Sequence, residues 1–163
     1  VAFLDTNKMG NIKEKQDRLK KINELIKEIA SHDRHFFFSK TNGNIARFFI
    51  KGSKIYYEDE YERKSKQIIF TNEEEDNDYG WHQLKWVNHG STLKSQIFSF
   101  ASFIRNGKKI YLGSYHWGYT YDGLIKIHHK AKDLGICSDA SFSIYKGDEE
   151  EGDRVYREKE ETA

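Results

Sequence analysis

The residues with the most chemical promise form one short run, Trp86-Val87-Asn88-His89-Gly90-Ser91-Thr92-Leu93. It sets a histidine and a glycine just before a helix start. Free backbone N–H groups at such a start make a ready anion site, and Ser91 and Thr92 would add hydroxyl donors. His89 could hold a phosphate or carboxylate, or move a proton near neutral pH. The plainer reading is capping: the turn needs Gly90, the helix needs Ser91 or Thr92, and His89 packs against Trp86. A second run, Tyr115-His116-Trp117-Gly118-Tyr119, puts rings on a glycine-hinged loop. Such rings can stack on bases or form a protein hot spot. They can equally plug the open end of a sheet. Arg47, Lys85 and Lys94 are candidates to supply positive charge to either run. The binding residues expected are thus Arg47, Lys85, Trp86, His89, Ser91, Thr92, His116, Trp117 and Tyr119.

No catalytic or cofactor motif accompanies them. The chain has no phosphate-binding Gly-rich loop, no dinucleotide fingerprint and no nucleophile elbow. Cys137, the only cysteine, follows a helix C-terminus, where the dipole disfavours a thiolate; it reads as a small buried residue. Of the seven histidines, His32 and His35 flank the end of the first helix. His128 and His129 lie on the third, and as neighbours they point about 100° apart and cannot share one face. A metal site needs three converging ligands, and His82, His89 and His116 would converge only if the fold joined their loops. The expectation is no catalytic residue, no metal and no cofactor.

The elements that must position these runs can be read from periodicity. Residues 1–10 look like an irregular lead-in. From about Asn11 to Ala30, Ile12, Leu19, Ile22, Leu25, Ile26 and Ile29 recur at helical spacing. Lysines and Arg18 occupy the other face, either as a solvated face or as a basic patch. Strands are expected at His35–Ser39, Ile45–Lys51, Lys54–Asp59, Lys66–Thr71 and Trp81–Val87. Asn42-Gly43 is a strong type I′ hairpin signal, and Gly52-Ser53 marks a second turn. Phe36–Phe38 and Phe48–Ile50 break the alternation, so either both sheet faces are covered or some rings face outward for binding. Asn72–Tyr79 is an acidic, solvated loop. A second helix, Thr92 to about Arg105, carries the stripe Leu93, Ile97, Phe100, Ala101 and Ile104 and ends at Asn106-Gly107. Lys109–Leu112 could be a short strand. A third helix, from about Tyr121 to Leu134, ends at Gly135. The fold expected is α+β, an antiparallel meander of about five strands packed with three helices. It forms one domain over 1–145, followed by a charged tail at 146–163.

Composition agrees. The 163 residues suit one domain, which buries about 70% of its unfolded surface without needing a disulfide or metal. Only 37% of residues are hydrophobic, but 15% are aromatic, and rings bury large areas. Proline is absent, so Gly, Asn and Asp must set the turns. A net charge of +1 exerts no global pull toward nucleic acid or membrane. No apolar run approaches the roughly 20 residues of a membrane span, and the expected location is the cytoplasm. No signal peptide is visible; the chain opens on Val1, so a short targeting segment ahead of it stays open.

Several runs carry a resemblance: Arg34-His35-Phe36-Phe37, Ala46-Arg47-Phe48, Ile55-Tyr56-Tyr57-Glu58-Asp59-Glu60-Tyr61, His89-Gly90-Ser91-Thr92-Leu93, Leu112-Gly113, Trp117-Gly118-Tyr119 and Leu134-Gly135-Ile136. From Ile22 to Ile136 the chain resembles a family of small uncharacterised proteins of bacteriophages and bacterial mobile elements. That family shows His-Gly-Gly-Thr-Leu where Ser91 interrupts the pattern here, and the segment between Leu112-Gly113 and Trp117-Gly118 is shorter. The resemblance carries over no catalytic residue. It implies a phage or mobile-element origin, and with it a non-enzymatic binding module acting on host or defence machinery. Alternatives are a small enzyme or anion- or nucleotide-binding protein using the His89 helix start, a nucleic-acid-binding protein, and a chain that self-associates through its first helix. The acidic loop and tail weigh against a wide nucleic-acid footprint.

Overall fold

A computed structural model describes residues 2–32, 36–70, 80–110, 112 and 121–137. These residues form an α+β arrangement with three α-helices, one 3-10 helix and a three-stranded antiparallel sheet among them. The elements are α1 (Ala2–Ala30), β1 (Arg47–Lys51), β2 (Lys54–Glu58), β3 (Ser65–Gln67), the 3-10 helix Gly80–Leu84, α2 (Ser91–Asn106) and α3 (Tyr121–Asp133).

Helix α1 starts at Ala2 rather than near Asn11. Its first turns contain no proline, and one glycine such as Gly10 costs only about 1 kcal/mol within a helix. Ile22, Leu25, Ile26 and Ile29 are fully buried in the core, while Lys13, Lys20, Lys21 and Lys27 stay exposed. The stripe therefore packs on the chain's own core. No helix among the described residues is long and apolar enough to cross a membrane.

The sheet has order β1-β2-β3, so the described residues form three strands of the five expected. Residues 36–38 contribute only a single bridge, Phe38 to Ile45, because Phe37 turns into the left-handed region (φ 64°) and breaks the extended run. That unusual backbone for an aromatic residue buries the Phe37 ring completely, 5.9 Å from Phe100. The Asn42-Gly43 turn is not type I′: only Gly43 has positive φ. Asn42 instead accepts the Asn44 N–H through Oδ1 (2.9 Å) and donates to the Tyr61 carbonyl (2.8 Å). Lys51 pairs directly with Lys54 across Gly52-Ser53, with Gly52 left-handed, as a two-residue hairpin loop requires.

Two side-chain amides pair with the backbone at this small sheet, one on β1 and one just after β3. Asn23 of α1 donates to the Phe48 carbonyl and accepts the Phe48 N–H, each at 2.9 Å. Gln83 accepts the Ile69 N–H (2.7 Å) and donates to its carbonyl (2.9 Å). Each amide stands in for a neighbouring strand and removes exposed pairing groups. Gln83 also explains why Lys66–Thr71 does not continue as a strand: after Ile68 bonds to Ile55, the backbone turns to a side chain.

The run Trp81–Val87, expected as a strand, is mostly the 3-10 helix Gly80–Leu84. A Cβ on Gly80 would lie 2.1 Å from the Phe98 ring, so only glycine allows this close approach. Helix α2 is central. Leu93, Ile97, Phe100, Ala101 and Ile104 are buried as the periodicity requires, and Phe98 and Phe103 are buried too. Its N-cap is Gly90, without a side-chain cap, rather than Ser91 or Thr92. Its C-terminus is held by α1: Arg18 donates to the carbonyls of Ile104 (2.9 Å) and Arg105 (3.1 Å). Gly107 and Gly135 adopt the expected left-handed conformation after α2 and α3. Ile110 and Cys137 form one parallel bridge where a short strand was expected. The acidic run 72–79 and the tail 146–163 lie outside the described residues.

Candidate functional site

Three consecutive acids, Glu58, Asp59 and Glu60, organise the region around His89. All three are buried or nearly so, and each has a different partner. Glu58 receives Arg47 at 2.8 Å and Arg63 at 3.6 Å. Asp59 accepts the backbone N–H groups of Glu62 (3.0 Å) and Lys64 (3.2 Å) through Oδ1, which closes a tight loop with Arg63 left-handed (φ 56°). That loop turns Glu60 fully inward.

Oε1 of Glu60 lies 2.6 Å from Nε2 of His89, whose side chain is 9% exposed against 0% for Glu60. His89 reaches this position through the turn after the 3-10 helix, where Val87 N–H bonds to Leu84 and His89 N–H to Val87. Phe36 meets the imidazole edge-on at 6.1 Å, and Tyr61 tilts against it at 5.9 Å. Burial, then the negative charges of Glu60 and Asp59, push the Tyr61 phenol above its ordinary value. Oε2 of Glu60 is buried without a hydrogen-bond partner among the described residues. Nε2 of the histidine that precedes α2 is thus already taken up by a side chain of the same chain.

The expected binding residues divide into separate groups. His89 belongs to the internal pair. Trp86 is half-buried, 6.0 Å from Tyr57 and beneath the Lys66 ammonium at 5.8 Å. Ser91 and Thr92 are the first residues of α2. Lys85 is exposed. His116, Trp117 and Tyr119 lie outside the described residues. Arg47 sits on the outer face of the sheet, where alternation places Phe49, Tyr56 and Gln67 beside it.

On that outer face Phe49 and Tyr56 are direct cross-strand partners. Their rings stack with centroids 5.1 Å apart and planes 3° from parallel. The Arg47 guanidinium lies 5.3 Å from the Phe49 centroid. Lys51 and Lys54 extend the same face and are exposed. Phe48 and Tyr57, on the opposite face, are buried. The contiguous Phe48-Phe49-Ile50 run already signalled a strand with rings on both sides. Phe49 and Tyr56 themselves were not singled out, because alternation alone does not say which face a helix will cover.

Other candidates resolve simply. Cys137 is a buried free thiol. His128 is 1% exposed; burial, with a smaller push from His129 and an opposing backbone hydrogen bond at Leu112, lowers its pKa to about 4. His82 stacks on Trp81 at 3.9 Å. No group of three potential ligands that could hold a metal occurs among the described residues.

Sequence comparison agrees with the phage resemblance. The YoqU family model matches residues 12–154. The SPbeta prophage-derived uncharacterized protein YoqU of Bacillus subtilis (strain 168) is 32% identical over 127 residues, which is 77% of this chain and 86% of the relative. No solved structure matches the chain.

Proposed function

Since this chain belongs to the YoqU family, we propose that it is a non-enzymatic phage accessory protein that binds a host or defence protein in the host cytoplasm. Its contact surface is the outer face of the sheet, centred on Phe49 and Tyr56. The observation that carries this reading is the stacked ring pair with Arg47 beside it. Tyr and Arg are residue types that dominate protein hot spots. The pair is pre-ordered by the hairpin, so little side-chain freedom is lost on binding. Arg47 is held by Glu58 at 2.8 Å, which fixes its direction before any partner arrives.

The test is affinity capture from host lysate with the wild type and a Phe49→Ser, Tyr56→Ser double variant. Both rings lie on the sheet's outer face, so the variant should retain its fold. The proposal expects one host protein to be recovered by the wild type and lost by the variant.

A nucleic-acid reading draws on the same face, since stacked rings flanked by Arg47, Lys51 and Lys54 also suit bases and phosphates. It is separated by salt: direct binding of a single-stranded oligonucleotide should weaken steeply as salt rises. A third reading, an anion held by His89 before α2, must contend with Glu60, which already contacts the ring's Nε2. Glu60 lies against His89 and would repel a phosphate from the same position.

A further inference from the structure

We infer that the partner of this sheet supplies an extended acidic segment, which pairs with β3 as a fourth strand. That pairing rests on the protein-binding reading above and is its mode of attachment. The hydrogen-bond pattern fixes which groups of β3 are free. Ile68 N–H bonds to the Ile55 carbonyl and Asp59 N–H to the Lys64 carbonyl, in the register that sets Lys66 opposite Tyr57. Opposed residues in an antiparallel pair alternate between bonded and non-bonded. The bonded pairs are therefore Ile55 with Ile68, Tyr57 with Lys66 and Asp59 with Lys64. Ser65 and Gln67 fall between them, so their N–H and C=O groups point away from β2. The next residue of that outward series, Ile69, has both groups bonded to the Gln83 amide. Gln83 thus ends the open edge, and the outward groups of Ser65 and Gln67 have no partner among the described residues. An open edge of this kind takes an extended peptide through main-chain bonds, with alternate side chains giving specificity.

The two faces of β3 set the chemistry of that segment, because a cross-strand neighbour lies on the same face as the residue it opposes. One face carries Lys66, which is exposed and has no ion pair among the described residues. Its ammonium stands 5.8 Å from the Trp86 centroid. Lys64, on the same side, is already engaged by Glu62 at 3.1 Å, so Lys66 is the charge open to a carboxylate opposite it. The other face carries Ser65, Gln67 and Ile69, with Gln67 beside Tyr56. Ile69 is 48% exposed, which suits an apolar neighbour. The matching segment alternates acidic and apolar residues, and its apolar side chains continue the face formed by Phe49 and Tyr56. A second copy of the chain fits less well. Pairing Ser65 of one copy with Gln67 of another sets their Lys66 side chains directly opposite, and like charges so placed are destabilising.

The experiment is calorimetric titration of the full chain with a capped heptapeptide alternating Val and Glu, and with the same peptide carrying Lys for Glu. The Glu peptide should bind more tightly, and hydrogen exchange at the Ser65 and Gln67 amides should slow in its presence. Gln67→Pro removes only an outward N–H, which an edge strand tolerates. Its Tm should stay nearly unchanged while affinity falls about tenfold, the worth of one main-chain hydrogen bond. Lys66→Glu, which leaves the backbone intact, should reverse the preference between the two peptides. The inference is overturned if the Glu peptide does not bind at millimolar concentration, if the Lys peptide binds as tightly, if folded Gln67→Pro binds like the wild type, or if Lys66→Glu keeps the original preference. A wild-type dimer that Gln67→Pro turns into a monomer in sedimentation would overturn it in favour of a second copy. Capture from host lysate separates the two readings: a partner lost by the Phe49→Ser, Tyr56→Ser variant but kept by Gln67→Pro leaves the sheet face standing and removes the added strand.

Discussion

His89 and Glu60 are joined by a 2.6 Å contact that is almost wholly withdrawn from water. It fastens the loop after β2 to the turn that starts α2. Removing one member of a buried hydrogen-bonded pair leaves the other without its partner, which costs about 1–3 kcal/mol. His89→Ala and Glu60→Ala should therefore each lower the urea midpoint strongly. The double variant should be less destabilised than the sum of the singles, because the second substitution removes the orphaned polar group. Equal additivity would mean the contact contributes no coupling.

The amide of Asn23 holds both backbone groups of Phe48. Asn23→Leu leaves that N–H and carbonyl without their partner in a half-buried setting. We expect a loss of about 1–3 kcal/mol and faster hydrogen exchange at the Phe48 amide. Asn23→Asp should lose the donor to the carbonyl but keep an acceptor for the N–H, so that amide should remain protected.

Gly80 has no room for a side chain, since the Phe98 ring fills the space. Gly80→Ala should destabilise by about 1–3 kcal/mol, as overpacking does. Phe98→Leu in the same chain should recover part of that loss. Thermal melts of the two variants decide the point.

Burial holds His128 neutral, with its pKa at about 4 in the fold against about 6.5 in an unfolded chain. Between those values the unfolded state binds more protons, so stability rises with pH there. The contribution is fully present above pH 6.5 and is lost as pH falls toward 4. Replacing His128 by a residue that does not titrate, as in His128→Gln, should flatten the stability profile across that window, read by denaturant melts at a series of pH values.

The helices were legible in the sequence because their stripes repeat: the five core positions read for α2 are all buried, and Gly107 and Gly135 close their helices as expected. The sheet was legible only where a tight turn fixed register, at Gly52-Ser53. Phe37 and Gln83 ended strands by means that periodicity does not record, a left-handed aromatic residue and an amide acting as a strand. Glu60 was overlooked for a similar reason. In sequence it is one acid in an acid-rich run, and only the Asp59 loop turns it inward to His89. His89 was visible as a chemically able residue before a helix, but its partner lies 29 positions away and nothing local announces it. The expected loop residues His116, Trp117 and Tyr119 lie outside the described residues.

Whether the outer sheet face is the contact surface is tested most directly by titrating the purified captured partner against wild type and the Phe49→Ser, Tyr56→Ser variant. At least a tenfold rise in Kd with an unchanged Tm is expected, since loss of paired hot-spot rings costs about 1.4 kcal/mol or more. An unchanged Kd for a folded variant would contradict the account and move the contact away from this face.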